Sequence, residues 1–276
     1  MNFKIVVFLG SLLLTQSLYA QSQNFHIYLC FGQSNMEGQG IIEEQDKVVD
    51  DRFVTMQAMD CPNLKRSKGE WYTAVPPLSQ CWSGLSPSYY FGRTMVANLP
   101  DSIKVGVINV AVGGADIRLF DKDIYQAYDS TYTEAWFTDK IKFYKGNPYK
   151  YLIELAKLAQ KDGVIKGILL HQGETNTGDS QWPSYVRKVY NNMIDDLELD
   201  PDSVPLIAGE LVHADQQGVC SSMNAIISRL PDAIPTAHIV SSSGCKAKPD
   251  RVHFNSEGFR ELGKRYAEKI LTLEDQ

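Results

Sequence analysis

A serine stands in a short polar turn near the start of the chain, within residues 31–38 (FGQSNMEG). The residues before it, 25–30, alternate and carry aromatic and branched side chains, which predicts a β-strand. Gly32 allows a sharp turn after that strand, and Ser34 is the one strong nucleophile type in the turn. Ser34 is therefore a candidate nucleophile at the carboxyl end of a strand, although the same residue types also suit an ordinary polar turn.

A serine nucleophile needs a base, and the base needs a carboxylate that orients it. Among the five histidines, His253 lies three residues after Asp250, in a loop directly before the last predicted helix. That spacing allows one loop to hold the carboxylate against Nδ1 of the imidazole and to leave Nε2 for the serine. A helix-capping aspartate beside a surface histidine would show the same spacing. His213, near Asp215, is a weaker candidate base.

The elements that must position these residues alternate between strand and helix. Apolar runs predict five strands, at residues 25–30, 103–112, 164–170, 204–211 and 237–241. Helical periodicity and capping residues predict helices at residues 87–99, 148–162, 183–197, 223–230 and 256–273. This alternation predicts an α/β fold, with a central parallel sheet of about five strands and helices on both faces.

Two long stretches lack periodicity, residues 43–85 and 121–145, and we expect irregular inserts there. The first carries Trp71 and Trp82, and the second is rich in Tyr, Trp and Phe. Exposed aromatic rings beside a hydrolytic site suit the flat C–H faces of sugars, whereas buried ones would only pack the loops down. Trp71 and Trp82 are therefore candidate substrate-binding residues.

The first 20 residues differ from the rest of the chain. Lys4 is followed by an apolar run at residues 5–14, and the segment ends on Ala20. This pattern is typical of a secretory signal peptide, because the apolar run is too short for a permanent membrane span. We therefore expect a signal peptide at 1–20, a single domain at 21–276, and a secreted or periplasmic protein.

The composition is that of an ordinary globular protein: 276 residues, 43% hydrophobic and 22% charged. The formal net charge is −6, and no basic cluster is present, which argues against a nucleic-acid partner. No stretch after the signal peptide is apolar enough to insert into a membrane.

Five cysteines are present, and export would permit disulfides. Cys61 with Cys81 and Cys220 with Cys245 are the plausible pairs, since all four lie in loop-like sequence. Cys30 lies within the first predicted strand, where we expect a buried free thiol. No cysteine and histidine set has the spacing of a zinc site.

Four short blocks follow one another along the chain: GQSNM at 32–36, VGGA at 112–115, HQGE at 171–174 and DRVHF at 250–254. In this order they resemble the carbohydrate acetyl-esterases of the SGNH-hydrolase superfamily, those of carbohydrate esterase family six, with sialate O-acetylesterases as relatives. The resemblance implies a flavodoxin-like three-layer sandwich. It also implies removal of acetyl groups from polysaccharide hydroxyls, typically those of xylan, with no metal or other cofactor.

Carried over residue by residue, the resemblance implies that Ser34 is the nucleophile and His253 the general base. Asp250 matches the carboxylate that orients the histidine. Some relatives are thought to use the acid of the third block instead, which here is Glu174. We favour Asp250 on local spacing, and Glu174 remains an alternative or supporting acid.

The resemblance also indicates an oxyanion hole, which needs donors aimed at the charge that develops on the acetyl carbonyl. The backbone N–H groups of Ser34 and of Gly114 or Gly113 are the candidates. The superfamily uses an asparagine in its third block, which this sequence lacks there, so Gln172 is the candidate for the third donor. Beside the nucleophile, Gln33 and Asn35 are further candidate substrate-binding residues.

The leading hypothesis is thus a secreted serine esterase that deacetylates xylan or a related plant polysaccharide through an acetyl-serine intermediate. Two alternatives stay open. One is a sialate O-acetylesterase with the same chemistry, and the other is a non-catalytic glycan-binding protein on an esterase fold. The acetylated carbohydrate is the expected partner, and no cofactor, nucleic acid or membrane insertion is expected.

Overall fold

The computed structural model describes residues 21–129 and 133–274. The strands in this part of the chain are β1 (Ser22–Gly32), β2 (Phe53–Met56), β3 (Trp71–Thr73), β4 (Lys104–Ala111), β5 (Gly163–His171), β6 (Leu206–Gly209) and β7 (Ala237–Val240). They form a seven-stranded sheet in the order β3-β2-β4-β1-β5-β6-β7. Each neighbouring pair is parallel except β2 with β3, which is antiparallel. The predicted α/β fold with a central parallel sheet is confirmed, although the sheet has seven strands rather than about five and β3 is antiparallel.

The central strand β1 is buried on both faces, as parallel strands usually are. Its side chains alternate between two apolar clusters because successive residues of a strand point to opposite faces. Ile27, Leu29 and Phe31 belong to one cluster. Tyr28 and Cys30 belong to the other. The sheet therefore divides the core into two layers.

Helices cover both of these layers. They are α1 (Ser34–Glu37), α2 (Pro87–Asn98), α3 (Ala135–Phe143), α4 (Pro148–Ala159), α5 (Trp182–Asp196), α6 (Asn224–Ile227), α7 (Leu230–Ala233) and α8 (Ser256–Glu274). Phe91 of α2 and Phe259 of α8 pack on the Tyr28 side of the sheet. Leu152 of α4 and Val189 of α5 pack on the Ile27 side.

Both stretches that we expect to be irregular contain regular structure. Residues 43–85 hold β2 and β3, and residues 121–145 hold α3. The two strands are four and three residues long, which is too short to show a period in the sequence. They form because β2 pairs with the edge of β4, where Phe53 lies opposite Val105. The short helix expected at 223–230 is divided between α6 and α7.

The cysteines follow the expectation in part. Cys61 and Cys81 form a disulfide with their Cα atoms 5.3 Å apart, as expected, and Cys30 is a buried free thiol. The expected pairing of Cys220 with Cys245 is wrong, since both thiols are free. The two residues pack against clusters on opposite sides of the sheet, which keeps their sulfur atoms apart.

The expected signal peptide at residues 1–20 lies outside the described residues. Among residues 21–129 and 133–274, no helix has both the length and the apolar character that a bilayer span requires.

Candidate active site

The carboxyl ends of three neighbouring strands meet at one edge of the sheet. Ser34 follows β1, the paired glycines 113–114 follow β4, and Glu174 follows β5. Because β1 lies between β4 and β5, its turn is flanked by the other two. Gly32 has a φ of 143°, and a Cβ there would lie 2.1 Å from the carbonyl oxygen of His171. Only glycine allows the ends of β1 and β5 to approach this closely.

The loop before α8 brings a histidine and an aspartate to this edge. Nε2 of His253 lies 2.8 Å from Oγ of Ser34, and Nδ1 lies 2.9 Å from Oδ2 of Asp250. An ionised carboxylate only accepts hydrogen bonds, so Nδ1 carries the proton and Nε2 is left as an acceptor. Ser34 can therefore donate its hydroxyl proton to His253. The structure joins residues that are 219 positions apart in the chain.

Asp250 is held in place by its own loop. Its Oδ1 accepts hydrogen bonds from the backbone N–H groups of Val252 and His253, each at 2.9 Å. Partial burial by itself would raise the pKa of Asp250. The hydrogen bonds from the His253 side chain and from the two N–H groups outweigh burial and hold that pKa below its ordinary value. Asp250 is therefore ionised at neutral pH and orients the imidazole.

Asn35 connects the nucleophile turn to the histidine loop. Its Nδ2 donates to the carbonyl oxygen of Val252 at 3.0 Å, and its Oδ1 accepts from the N–H of Phe254 at 3.2 Å. Val252 and Phe254 are the residues directly before and after His253. Asn35 is a candidate substrate-binding residue by sequence, but its side chain is completely buried and is not part of the wall of the pocket beside Ser34. It instead holds the histidine loop against the serine turn.

Glu174 lies in the same network but does not bond to the histidine. Its Oε1 accepts from Nδ2 of Asn35 at 2.6 Å. Its Oε2 is buried, with no hydrogen-bond partner in the described part of the chain. Burial raises the pKa of this carboxyl to about 7. Glu174 therefore changes its charge near neutral pH, beside the nucleophile and the base.

Replacement of Glu174 by glutamine should make the protein increasingly more stable than the wild type as the pH rises. The unfolded chain ionises this carboxyl near its ordinary pKa of 4.5, whereas the folded chain keeps the proton up to about 7. The stabilisation from this protonated group is complete below pH 4.5 and is lost as the pH rises through 7. The loss is at most about 3 kcal/mol. Glutamine does not ionise and still accepts from Asn35.

Urea unfolding at pH 5 and pH 8 measures this effect, and the gain of Glu174→Gln over the wild type should be larger at pH 8. Glu268 is an exposed glutamate of α8, and Glu268→Gln is the matched control. An equal stability difference at both pH values would show that the Glu174 carboxyl is not protonated in the folded protein.

Two residues of the site, Ser34 and Gly114, carry backbone donors that are not used within the described protein. The N–H groups of Ser34 and Gly114 have no acceptor among residues 21–129 and 133–274. The N–H of Gly113, in contrast, donates to Oε1 of Glu37 at 3.2 Å. Of the two alternative glycines, the structure therefore leaves Gly114 as the available donor.

The structure does not support Gln172 as an oxyanion donor. Its side chain is 1% exposed, and Nε2 donates to Gln33 Oε1 at 3.2 Å, to Ala115 O at 3.1 Å and to Asn176 Oδ1 at 2.6 Å. Its Oε1 accepts from Nε1 of Trp182. Because the carboxamide is fully used inside the protein, it supports the turn beneath the pocket rather than a ligand.

A cavity of about 420 Å³ opens beside the serine and histidine. This volume is in the usual range for small-ligand pockets. Its wall is formed by Gln33, Ser34, Gln39, Gly113, Gly114, Trp136, Lys140, Glu174, Thr175, Cys220, Val252 and His253. Of the expected substrate-binding residues, only Gln33 is part of this wall.

The two expected tryptophans lie elsewhere. Trp71 packs its ring against Phe25, with ring centroids 4.9 Å apart, and Nε1 donates to Oδ2 of Asp162 at 2.9 Å. Asp162 directly precedes β5, so Trp71, a candidate substrate-binding residue by sequence, lies at the opposite edge of the sheet and outside the pocket wall. Trp82 lies outside the pocket wall and contacts Phe143 of α3.

Sequence reasoning did not single out five residues of the wall, which are Gln39, Trp136, Lys140, Thr175 and Val252. Two of them, Trp136 and Lys140, come from an insert. Both belong to α3, inside the stretch expected to be irregular. Nζ of Lys140 lies 2.8 Å from Oε2 of Glu37, and Glu37 is 2% exposed. The richness of residues 121–145 in aromatic side chains was the available signal for Trp136. No local pattern indicates the pairing of Lys140 with Glu37.

Comparison with known families gives a match over most of the chain. The sequence profile of the family described as "carbohydrate esterase, sialic acid-specific acetylesterase" matches residues 24–272, a range that includes all four sequence blocks. The chain belongs to this family of carbohydrate esterases. It is accordingly an enzyme, a carboxylic ester hydrolase.

Solved structures share the fold of this esterase. A protein from Arabidopsis thaliana has a TM-score of 0.68 and 20% identity, over 91% of this chain and 98% of the other. The protein NanS has a TM-score of 0.66 and 16% identity, over 92% and 99%. A carbohydrate acetylesterase from Xanthomonas citri has a TM-score of 0.61 and 18% identity, and the match covers 87% of this chain but 55% of that one.

Proposed function

We propose that this esterase removes O-acetyl groups from carbohydrate by a serine mechanism of the SGNH-hydrolase type. The observation that carries the proposal is the hydrogen-bonded series Ser34, His253, Asp250 at the wall of a pocket. The backbone N–H groups of Ser34 and Gly114, which have no acceptor among the described residues, add to it. Membership of a carbohydrate esterase family supports the same class of substrate.

In the proposed mechanism His253 takes the Ser34 proton while Oγ attacks the acetyl carbonyl carbon. The N–H groups of Ser34 and Gly114 donate to the oxyanion of the tetrahedral intermediate. His253 then protonates the departing sugar oxygen, which leaves an acetyl-serine. Water, deprotonated by the same histidine, attacks that ester and releases acetate, and the proton returns to Ser34.

Asp250 is the orienting acid in this proposal. Its carboxylate contacts the histidine directly, whereas Glu174 reaches the histidine loop only through Asn35. Glu174 therefore acts as a supporting acid that orients Asn35. Asn35 in turn holds the backbone on both sides of His253, which keeps Nε2 within reach of Ser34.

For the sugar, we propose acetylated xylan or a related plant polysaccharide. Free O-acetylated sialic acid is the second candidate, because the description of the family names sialic acid. The enzyme is proposed to work as one domain, residues 21–276, after export and removal of residues 1–20. An exported location would place it where polymeric glycans are accessible.

Acetate release distinguishes these candidates. The purified protein should hydrolyse p-nitrophenyl acetate and should release acetate from acetylated xylan faster than from 9-O-acetylated sialic acid at equal acetyl concentration. The reverse order would assign the sialate substrate. Binding of xylan oligomers with no acetate release from any of these esters would instead support the non-catalytic glycan-binding alternative.

A further inference from the structure

Three aromatic side chains near the pocket are about half exposed. The exposed fraction is 48% for Trp136, 49% for Phe143 and 50% for Trp82. In the part of the chain that the structure describes, the other large hydrophobic side chains with comparable exposure are all aliphatic. Exposed aromatic rings gathered in one place are a recognised mark of a binding surface.

Two of these rings share one face of α3, beginning at the pocket, and the third ring contacts the second of them. Trp136, Lys140 and Phe143 lie at positions i, i+4 and i+7 of α3, which places them on one face of the helix. Trp136 and Lys140 belong to the pocket wall. Phe143 lies about 10 Å further along the helix axis, and its ring centroid is 4.7 Å from that of Trp82. We refer to Trp136, Phe143 and Trp82 as the aromatic stripe.

The opposite face of α3 packs into the protein. Phe137 is completely buried and Ile141 is 4% exposed, so the core already has the apolar contacts that hold this helix. The aromatic stripe is therefore not needed to bury α3. About half of the surface of each of its three residues is accessible to water.

Two contacts hold the segments that carry the stripe, an ion pair to the nucleophile helix α1 and a disulfide next to Trp82. Lys140 pairs with the buried carboxylate of Glu37 at 2.8 Å, and Glu37 ends the short helix α1 that begins at Ser34. Trp82 directly follows Cys81, which is joined to Cys61 by the disulfide. A ligand that covers the stripe would thus be held at a defined distance from Ser34.

The shape of the surface favours a chain of sugars over a protein partner. Pyranose rings present flat C–H faces that pack on aromatic rings, while their hydroxyl groups stay in water. Charged side chains flank the stripe, since Asp139 and Lys142 are 59% and 75% exposed and pair with each other. A narrow apolar path beside charged side chains suits an extended oligosaccharide better than the broad patch of a stable protein interface.

We propose that the aromatic stripe binds sugar units that continue from the acetylated sugar in the pocket. The substrate is then an oligomeric or polymeric glycan chain rather than a free monosaccharide. The distance from Trp136 to Phe143 is comparable to the length of a disaccharide, so the chain extends at least two units from the reacting ester. This inference rests on the proposed esterase function and adds the residues that would bind the rest of the glycan chain.

Kinetics on long and short esters test the stripe. The variants are Trp82→Ala, Phe143→Ala and the double variant, and the substrates are p-nitrophenyl acetate and acetylated xylan, glucomannan and pectin. The double variant should lower kcat/KM on the preferred polymer by about tenfold, mainly through KM, which corresponds to about 1.4 kcal/mol. Activity on p-nitrophenyl acetate should stay within about twofold, because neither residue touches the pocket.

Val49→Ala is the matched control, since Val49 is 57% exposed and lies outside the pocket wall. It should leave both activities unchanged. A wild type that fails to hydrolyse p-nitrophenyl acetate would reject the esterase function itself. If the wild type does hydrolyse p-nitrophenyl acetate, unchanged activity of the double variant on the polymers would overturn the stripe proposal. A wild type that prefers acetylated monosaccharides to all three polymers would also overturn the stripe proposal.

Discussion

Ser34→Ala should lower kcat on p-nitrophenyl acetate by about 10⁵-fold or more, while KM changes little. The hydroxyl is the atom that attacks the acetyl carbon, and its Oγ lies 2.8 Å from the proposed base. Alanine removes the nucleophile but leaves the pocket wall and the N–H groups of Ser34 and Gly114 in place. What remains should be the small acceleration that substrate binding and the oxyanion donors supply on their own. Steady-state hydrolysis measured by p-nitrophenolate absorbance gives the comparison.

Two further variants separate a chemical effect from a structural one. His253→Ala should cost about as much as Ser34→Ala, and the double variant should cost little more, because the two residues act as one unit. Ser228→Ala, which removes another serine hydroxyl from an exposed position, should keep full activity. A folded Ser34→Ala protein with more than about a tenth of wild-type activity would show that the nucleophile lies elsewhere.

Asp250→Asn should lower kcat by about 10⁴-fold. Oδ2 of Asp250 accepts the Nδ1 proton of His253 at 2.9 Å, and an asparagine can present an N–H₂ group there instead. The imidazole would then carry its proton on Nε2, the nitrogen that must accept from Ser34. The oxygen that accepts from the backbone N–H groups of Val252 and His253 is retained, so the loop should keep its shape.

Glu174→Gln provides the decisive comparison for the identity of the acid. Glutamine keeps an oxygen to accept from Asn35, so the histidine loop should stay in place, and kcat should fall by less than about tenfold. Asp215 lies 3.5 Å from the imidazole of His213 on the surface, and Asp215→Asn is the control for loss of a His-Asp pair. A loss in Glu174→Gln as large as that in Asp250→Asn would make Glu174 a full member of the catalytic unit.

The order of most strands and helices along the chain, and the position of the reactive groups relative to them, could be predicted from the sequence. Strand and helix periods are local properties, and they correctly indicate β1, β4, β5, β6 and β7 together with α2, α4, α5 and α8. Ser34 and His253 each lie in a polar segment at the end or start of such an element. Because parallel strands end at the same edge of a sheet, the approach of these segments follows from the element order.

The roles of the buried polar residues were decided by the tertiary structure. Asn35 and Gln172 are the residue types that bind substrate or an oxyanion, yet both are enclosed, and their hydrogen bonds go to the protein. A side chain's partner depends on which distant segment lies beside it, and no local period records that. For the same reason the sequence did not indicate Lys140 in the pocket wall or the free state of Cys220 and Cys245.

The sequence by itself therefore determined the fold class, the edge of the sheet that carries the site, and the residue types available for ester hydrolysis. The tertiary structure alone decided which of those residues face the pocket, which support it from behind, and where the exposed aromatic rings lie. The physical reason is that strand and helix patterns arise from neighbouring residues, whereas burial and hydrogen-bond pairing arise from contacts between segments far apart in the chain.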